Sequence, residues 1–306
     1  MKIGAQAAIV VFGAIGAGAL GCSLLLDAGS LSEGGGARPP PDDGGIGGDA
    51  AGPAIDSGGY DGPCPRTKGP AMVRVGNHAG GDAAISFCVD ATEVSVAQYR
   101  QFVATNDGGK DKELADCAFN TSYEPMKSDG GPPDRVADNL PVVYVDWCDA
   151  FAYCAWAGKR LCGAIGGGPA PIGTPGDARE NQWMFACSAG GSRAYPYDGN
   201  DGGFVTNVCH DGLVEKSTEP PLLPVTRVSP CEGGFPDLFD MSGNVEEWED
   251  SCDKQRCHTR GGSAFDWGRH SADTAVDIFA CAVPFRAAGT PMGERNPDVG
   301  FRCCSD

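Results

Sequence analysis

Three stretches of the chain carry apolar side chains at helical spacing. Ser95 and Gln98 form a capping box before Val96-Ala97-Gln98-Tyr99-Arg100-Gln101-Phe102-Val103, where Tyr99, Phe102 and Val103 share one face. Asp146 caps a second stretch in which Trp147, Ala150, Phe151 and Cys154 follow the i, i+3, i+4, i+7 rule, and Gly158 offers a C-terminal stop. A third helix is predicted from about Glu180 to Ser188, with Trp183, Ala186 and Cys187 inward and Gly190-Gly191 ending it. Strand patterns are short and fall at Pro141 to Val145, around Val225 to Val228, and at Val299 to Cys303. Many Gly, Pro and Asp turns separate these elements and no internal repeat is visible, so the pattern predicts an irregular module.

Upstream the pattern changes twice. Met1-Lys2 precedes an apolar, Ala/Gly-rich run from Ala5 to Leu20, which Ala19-Leu20-Gly21-Cys22 closes. This resembles a bacterial lipoprotein signal over residues 1–21, with Cys22 as the acylated lipid anchor; the order Ala19 then Leu20 departs from the usual pattern, and an ordinary signal peptide cut nearby is the alternative. Ser23 rather than Asp follows the cysteine, which by the same resemblance points to the outer membrane after export across the inner one. Residues 22–63 hold one aromatic, Tyr60, among runs such as Gly34-Gly35-Gly36 and Pro39-Pro40-Pro41. Too little apolar surface is present to offset about 1–2 kcal/mol of backbone ordering per residue, so a disordered tether is expected there and a folded domain over 64–306.

Charge and cysteine content narrow the classes. The 306 residues carry 23 Lys+Arg against 41 Asp+Glu, a net charge of −18, which opposes binding to a phosphate backbone and argues against a nucleic-acid partner. The only long apolar run is N-terminal, which excludes a polytopic membrane protein. Fifteen cysteines point to a compartment where disulfides form, and acylation of Cys22 would leave an even number to pair. Cys252 and Cys257 are close enough to pair locally, and Cys64 with Cys88 is a further candidate pair. His78, His210, His258 and His270 lack partners at metal-ligand spacing.

Several motifs occur together in one order: Pro141 to Trp147, Ala152-Tyr153-Cys154 through Gly158-Lys159-Arg160-Leu161, Trp183 through Gly190-Gly191 to Tyr195-Pro196-Tyr197, Leu238 to Trp248, Arg260-Gly261-Gly262-Ser263, and Gly300-Phe301-Arg302-Cys303. From about Phe87 to Asp306 the chain resembles the formylglycine-generating enzyme, or sulfatase-modifying factor, domain. The resemblance implies an α+β, C-type-lectin-like, disulfide-rich fold with little regular secondary structure. It also implies disulfides joining Cys154 to Cys303 and Cys187 to Cys281, while partners among Cys117, Cys148, Cys162, Cys209, Cys231 and Cys304 stay open.

Family enzymes oxidise a substrate cysteine to formylglycine with copper held by two thiolates. The resemblance places the first three residues after the serine of Gly-Gly-Ser, at Asp266, and the second at Ser271, with no cysteine between Ser263 and Cys281. Copper(I) demands soft thiolates, so this cofactor is not expected unless Cys162 or Cys303-Cys304 supplies one. The turn from Asp240 matches a family calcium site, which implies ligands from Asp240, Gly243, Val245 and Glu247; Asn207-Val208 resembles part of a second. Asp266, Trp267, Arg269 and His270 line the expected cleft, whose polar and aromatic groups suit a protein segment or a glycan in the cell envelope. The leading expectation is a lipid-anchored, non-catalytic binding module. The alternatives are an oxidoreductase using displaced metal ligands and a stalk-borne structural module.

Overall fold

The computed structural model describes residues 63–76, 85–105, 114–127, 129–133, 137–172, 177–197, 203–205, 208–211, 222–225, 231–266, 278–284 and 288–306. Residues 1–62, which include the expected signal segment, Cys22 and nearly all of the expected tether, lie outside them, as do Asn207, Trp267, Arg269 and His270.

Helix α1 (Val96–Thr105) begins at the capping box: Ser95 N–H donates to Gln98 Oε1 at 2.9 Å and Gln98 N–H to Ser95 Oγ at 3.3 Å. Its buried face is Val96, Tyr99 and Phe102. Helix α2 (Trp147–Trp156) starts at a second reciprocal box between Asp146 and Asp149, and Gly158 ends it at φ +78°, a conformation that costs other residues a Cβ clash. Helix α3 (Gln182–Cys187) is one turn shorter than its pattern, because the Asn181 side chain caps it by accepting from Met184 N–H at 2.7 Å.

Two four-stranded sheets accompany these helices. The first has the order β1 (Met72–Gly76), β2 (Ser86–Asp90), β8 (Cys303–Ser305), β3 (Arg160–Leu161), antiparallel throughout. The second has the order β6 (Thr290–Pro291), β5 (Arg256–Arg260), β4 (Glu246–Asp253), β7 (Val299–Phe301), with β4 and β7 parallel. The chain therefore leaves one sheet at Phe301 and enters the other at Cys303, so the predicted strand Val299 to Cys303 is two strands divided at Arg302. The guanidinium explains the break. Arg302 is fully buried; its Nε and Nη2 grip both oxygens of Glu247 on β4 at 2.7–3.0 Å, while Nη1 and Nη2 donate to the carbonyls of Asp90, Phe239 and Asp240.

Pro141 to Val145 is not a strand. Only the bridge Ser95–Pro141 forms, Tyr144 sits at φ +60°, and successive N–H groups go to different partners, Val142 to Val94 and Tyr144 to Asn296. Val225 is irregular too, and the rest of that expected strand lies outside the described residues.

Seven disulfides consume every cysteine from Cys64 onward: Cys64–Cys88, Cys117–Cys148, Cys154–Cys303, Cys162–Cys304, Cys187–Cys281, Cys209–Cys231 and Cys252–Cys257. Because alternate residues of a strand face opposite ways, neighbouring Cys303 and Cys304 enter different core clusters, one with the aromatic set Tyr99, Phe102, Tyr153 and Phe301, the other with Phe87, Trp183 and Phe185. Each closes a loop of more than a hundred residues, worth on the order of 4–5 kcal/mol in the chain-entropy view.

Replacing Arg302 by Lys keeps the charge but loses the fork that holds Glu247 and three carbonyls. With all disulfides intact, chemical denaturation should show about 3 kcal/mol less stability than wild type; an unchanged midpoint would show that this guanidinium does not fasten the two sheets.

Candidate functional site

Strand β5 delivers the chain into Gly261-Gly262-Ser263. Gly262 has φ +64°, and a Cβ there would lie 2.7 Å from the Phe279 ring, so the loop needs glycine on two counts. The tight turn allows the one-turn 3-10 helix Ala264–Asp266 to fold back on Ser263. Asp266 is 1% exposed; its Oδ2 accepts from Ser263 N–H and from Ser263 Oγ, both at 2.9 Å. Ser263 Oγ is also 2.9 Å from Asp298 Oδ2 and accepts from Phe265 N–H at 3.2 Å. Glu246, from the start of β4, brings a third carboxylate, whose Oε2 accepts from Thr259 Oγ1 at 2.7 Å. One oxygen each of Glu246, Asp266 and Asp298 lies within 4.8 Å of the others.

This is a hard-oxygen environment. Carboxylates suit magnesium, calcium or manganese and serve copper(I) poorly. The residues do not fit the copper chemistry that the resemblance implies: a carboxylate stands at the first thiolate position, and Cys162, Cys303 and Cys304 are all spent in disulfides.

The turn from Asp240 to Glu247 is occupied otherwise. Glu247 is 1% exposed, and its four lone-pair positions receive Arg302 Nε twice, Arg302 Nη2 and the Trp183 indole N–H, the last at 2.8 Å. Trp248 Nε1 donates to the Val245 carbonyl at 3.1 Å. Of the four implied calcium ligands, Glu247 is thereby filled by protein donors, while the Val245 carbonyl keeps a second lone pair. Val208 is half-buried and packs against the cluster containing Tyr195, Tyr197 and Phe279, and its neighbour Asn207 lies outside the described residues.

The buried Arg302 guanidinium, paired with Glu247, also feels the charges of Glu93 and Asp240. Glu93 is fully buried; its Oε1 accepts from Asn244 Nδ2 at 2.9 Å while Oε2 has no hydrogen-bond partner. Burial pushes its pKa well above the ordinary glutamate value, the Asp240 carboxylate pushes it further, and Arg302 only partly opposes them. Asp149, buried beneath the Arg295 clamp that also holds Asp146, is raised for the same first reason.

Of the expected cleft residues, only Asp266 is described, and it is turned onto its own loop. Trp267, Arg269 and His270 belong to the undescribed part of the same loop. Ser263, Glu246, Asp298 and Asn244 went unnoticed as site residues. Asn244, at φ +58°, had a local signal in Gly243-Asn244, whereas the meeting of Asp266 with Asp298 has none, because β4 and β7 create it.

Glu93→Gln tests the buried charge. A group whose folded pKa is raised contributes stability below its unfolded value and loses it as pH rises through the folded value. Wild type should therefore lose stability relative to the Gln variant as pH rises from about 4.5, in paired urea titrations; parallel pH profiles would show that Glu93 does not titrate abnormally.

Residues 82–306 match the family model of the sulfatase-modifying factor enzyme 1-like domain. The inactive C-alpha-formylglycine-generating enzyme 2 of Bos taurus is 30% identical over 185 residues, 57% of this chain and 54% of that protein. The formylglycine-generating enzyme of Bos taurus is 26% identical over 286 residues, 72% of this chain and 66% of that protein. The chain thus spans between about half and two thirds of the length of these relatives. Among solved structures, the crystal structure of CarF has a TM-score of 0.46 at 19% identity, covering 78% of this chain and 95% of that one.

Proposed function

The chain belongs to the sulfatase-modifying factor family, and on that premise we propose that it is a non-catalytic member that binds a protein segment or a glycan at the cell envelope. One observation carries this reading. Asp266 stands where the first thiolate is implied, Ser271 where the second is, and no cysteine from Cys64 to Cys304 retains a thiol. The relatives described as inactive lend it support. What remains is a rigid platform: the Gly-Gly-Ser loop, three carboxylates and the buried polar centre beneath them.

Two experiments bear on it. Purified protein, incubated with a sulfatase-type Cys-x-Pro-x-Arg peptide with and without copper, should yield no aldehyde above a no-protein blank; a signal above that blank refutes the reading. Location is the second part. Cys22 is proposed to be the lipid-bearing residue that holds the domain at the membrane through the 22–63 tether. Cys22→Ala should move the protein from the detergent phase to the aqueous phase in a detergent-partition assay, and continued partition with detergent would remove Cys22 from that role.

A further inference from the structure

A cavity of about 610 Å³ lies between helix α1 and the run from Glu124 to Pro133, and none of its lining comes from the Gly-Gly-Ser loop or from Asp266. Val96, Val103, Pro125, Met126, Pro132 and Val142 make it apolar on most sides. The sequence accounts for this character. Pro132-Pro133 offers no N–H to the space, and α1 contributes valines one turn and more apart. The size is that of sites which enclose small organic molecules.

Polar bonds behind the lining hold the walls apart. The Tyr99 hydroxyl of α1 donates to the Tyr123 carbonyl at 2.8 Å, and Arg295 donates to the carbonyls of Ser122 and Glu124, each at 2.9 Å. Arg295 is in turn fixed by Asp146 and Asp149 at the start of α2. Met126 N–H donates to the Tyr144 carbonyl at 3.2 Å, and further along the wall Lys127 N–H donates to the Gly131 carbonyl and Gly130 N–H to the Lys127 carbonyl, both at 2.8 Å. Collapse of the cavity would break bonds of this set. A pinned apolar space therefore gains by exchanging water for an apolar body.

Two charged side chains line the space, Arg100 and Glu124. Arg100 is paired with Asp138, which offsets its charge. Glu124 spends its N–H on Ser122 Oγ and its carbonyl on Arg295, while its carboxylate is exposed and enters no ion pair among the described residues. That charge reaches the cavity floor: burial first, then the Asp149 and Asp146 carboxylates, hold the Tyr99 phenol well above its ordinary pKa, and Glu124 adds to them. We infer that the cavity is a binding site for a small organic amine, whose apolar body lies against Val103, Met126 and Pro132 and whose ammonium stands beside Glu124. An anionic ligand would meet Glu124 with no free cation to oppose it, because Arg100 is already matched. This site goes beyond the binding function proposed above, and neither its residues nor its test depends on Asp266.

The test titrates the whole protein, with its disulfides intact, with phenylbutylamine, phenylbutanol and phenylbutyrate in a calorimeter at low salt. These probes share one apolar body and differ in charge. The amine should bind about tenfold more tightly than the carboxylate, with the alcohol between them, since the change of sign turns one attraction at Glu124 into a repulsion. Glu124→Gln should bring the three together without disturbing the backbone carbonyl that Arg295 holds. Ala104→Trp, at an exposed helix position that lines the cavity, should fill the space and abolish binding of all three. A reading that needs no variant comes from methyl resonances of the wild type: the amine should shift Met126 and leave the core residue Met292 in place. The inference is overturned if the amine produces no saturable binding, if it binds no better than the carboxylate, if binding survives in folded Ala104→Trp protein, or if Met126 does not respond while the amine binds.

Discussion

Arg302 is the constraint on which the rest of the architecture depends. It separates β7 from β8 and so lets one extended run serve two sheets. Its guanidinium then ties those sheets to β4 through Glu247, to β2 through the Asp90 carbonyl, and to the turn ahead of β4 through Phe239 and Asp240. Glu247 passes the connection to α3 through the Trp183 indole. A planar fork with five fixed donors is suited to this in a way that an ammonium is not. Desolvating such a pair is expensive, and hydrogen bonds to three carbonyls compensate for it.

The same device recurs wherever regular structure is thin. Lys159 pairs with Asp90 where β2 meets the end of α2, Arg260 with Glu249 across the β4–β5 hairpin, and Arg295 with Asp146 and Asp149 at the start of α2. Asp90 uses its second oxygen to accept from Cys303 N–H, and Glu249 uses its own to accept from Asn181. A fold with short helices and two-residue strands has few ladder bonds with which to define positions. Buried polar groups that are satisfied in only one arrangement define them instead. Asn244, Glu246 and Asp266 stand on or beside this network through their own buried hydrogen bonds.

The helices were legible in the sequence because their signals are local. Ser95-x-x-Gln98, Asp146 and Gly158 mark ends that the structure keeps, and only α3 is shorter than its pattern. Strands were legible only in part. β4, reading Glu-Glu-Trp-Glu-Asp-Ser-Cys-Asp, has the composition of a solvated acidic turn, yet its first four residues are buried because Arg260, Arg302, Thr259 and Trp183 reach them from elsewhere in the chain. Pro141 to Val145 reads as a strand because its valines prefer extended backbone, but Tyr144 turns the chain so that each valine finds a different neighbour. For the site, the loss of thiolates at 266 and 271 is visible in the letters alone. The convergence of Glu246, Asp266 and Asp298 is a product of parallel pairing between β4 and β7, which no local spacing encodes.

Cys303 and Cys304 face opposite sides of β8, and with Arg302 they reach back to parts of the chain synthesised long before them. Cys154 and Cys162 have no correct partner until this tail has emerged. Until then both are open to pairing with other cysteines wherever disulfides form. The last strand thus completes bonds opened in the middle of the chain, and a product ending short of β8 cannot form either of them.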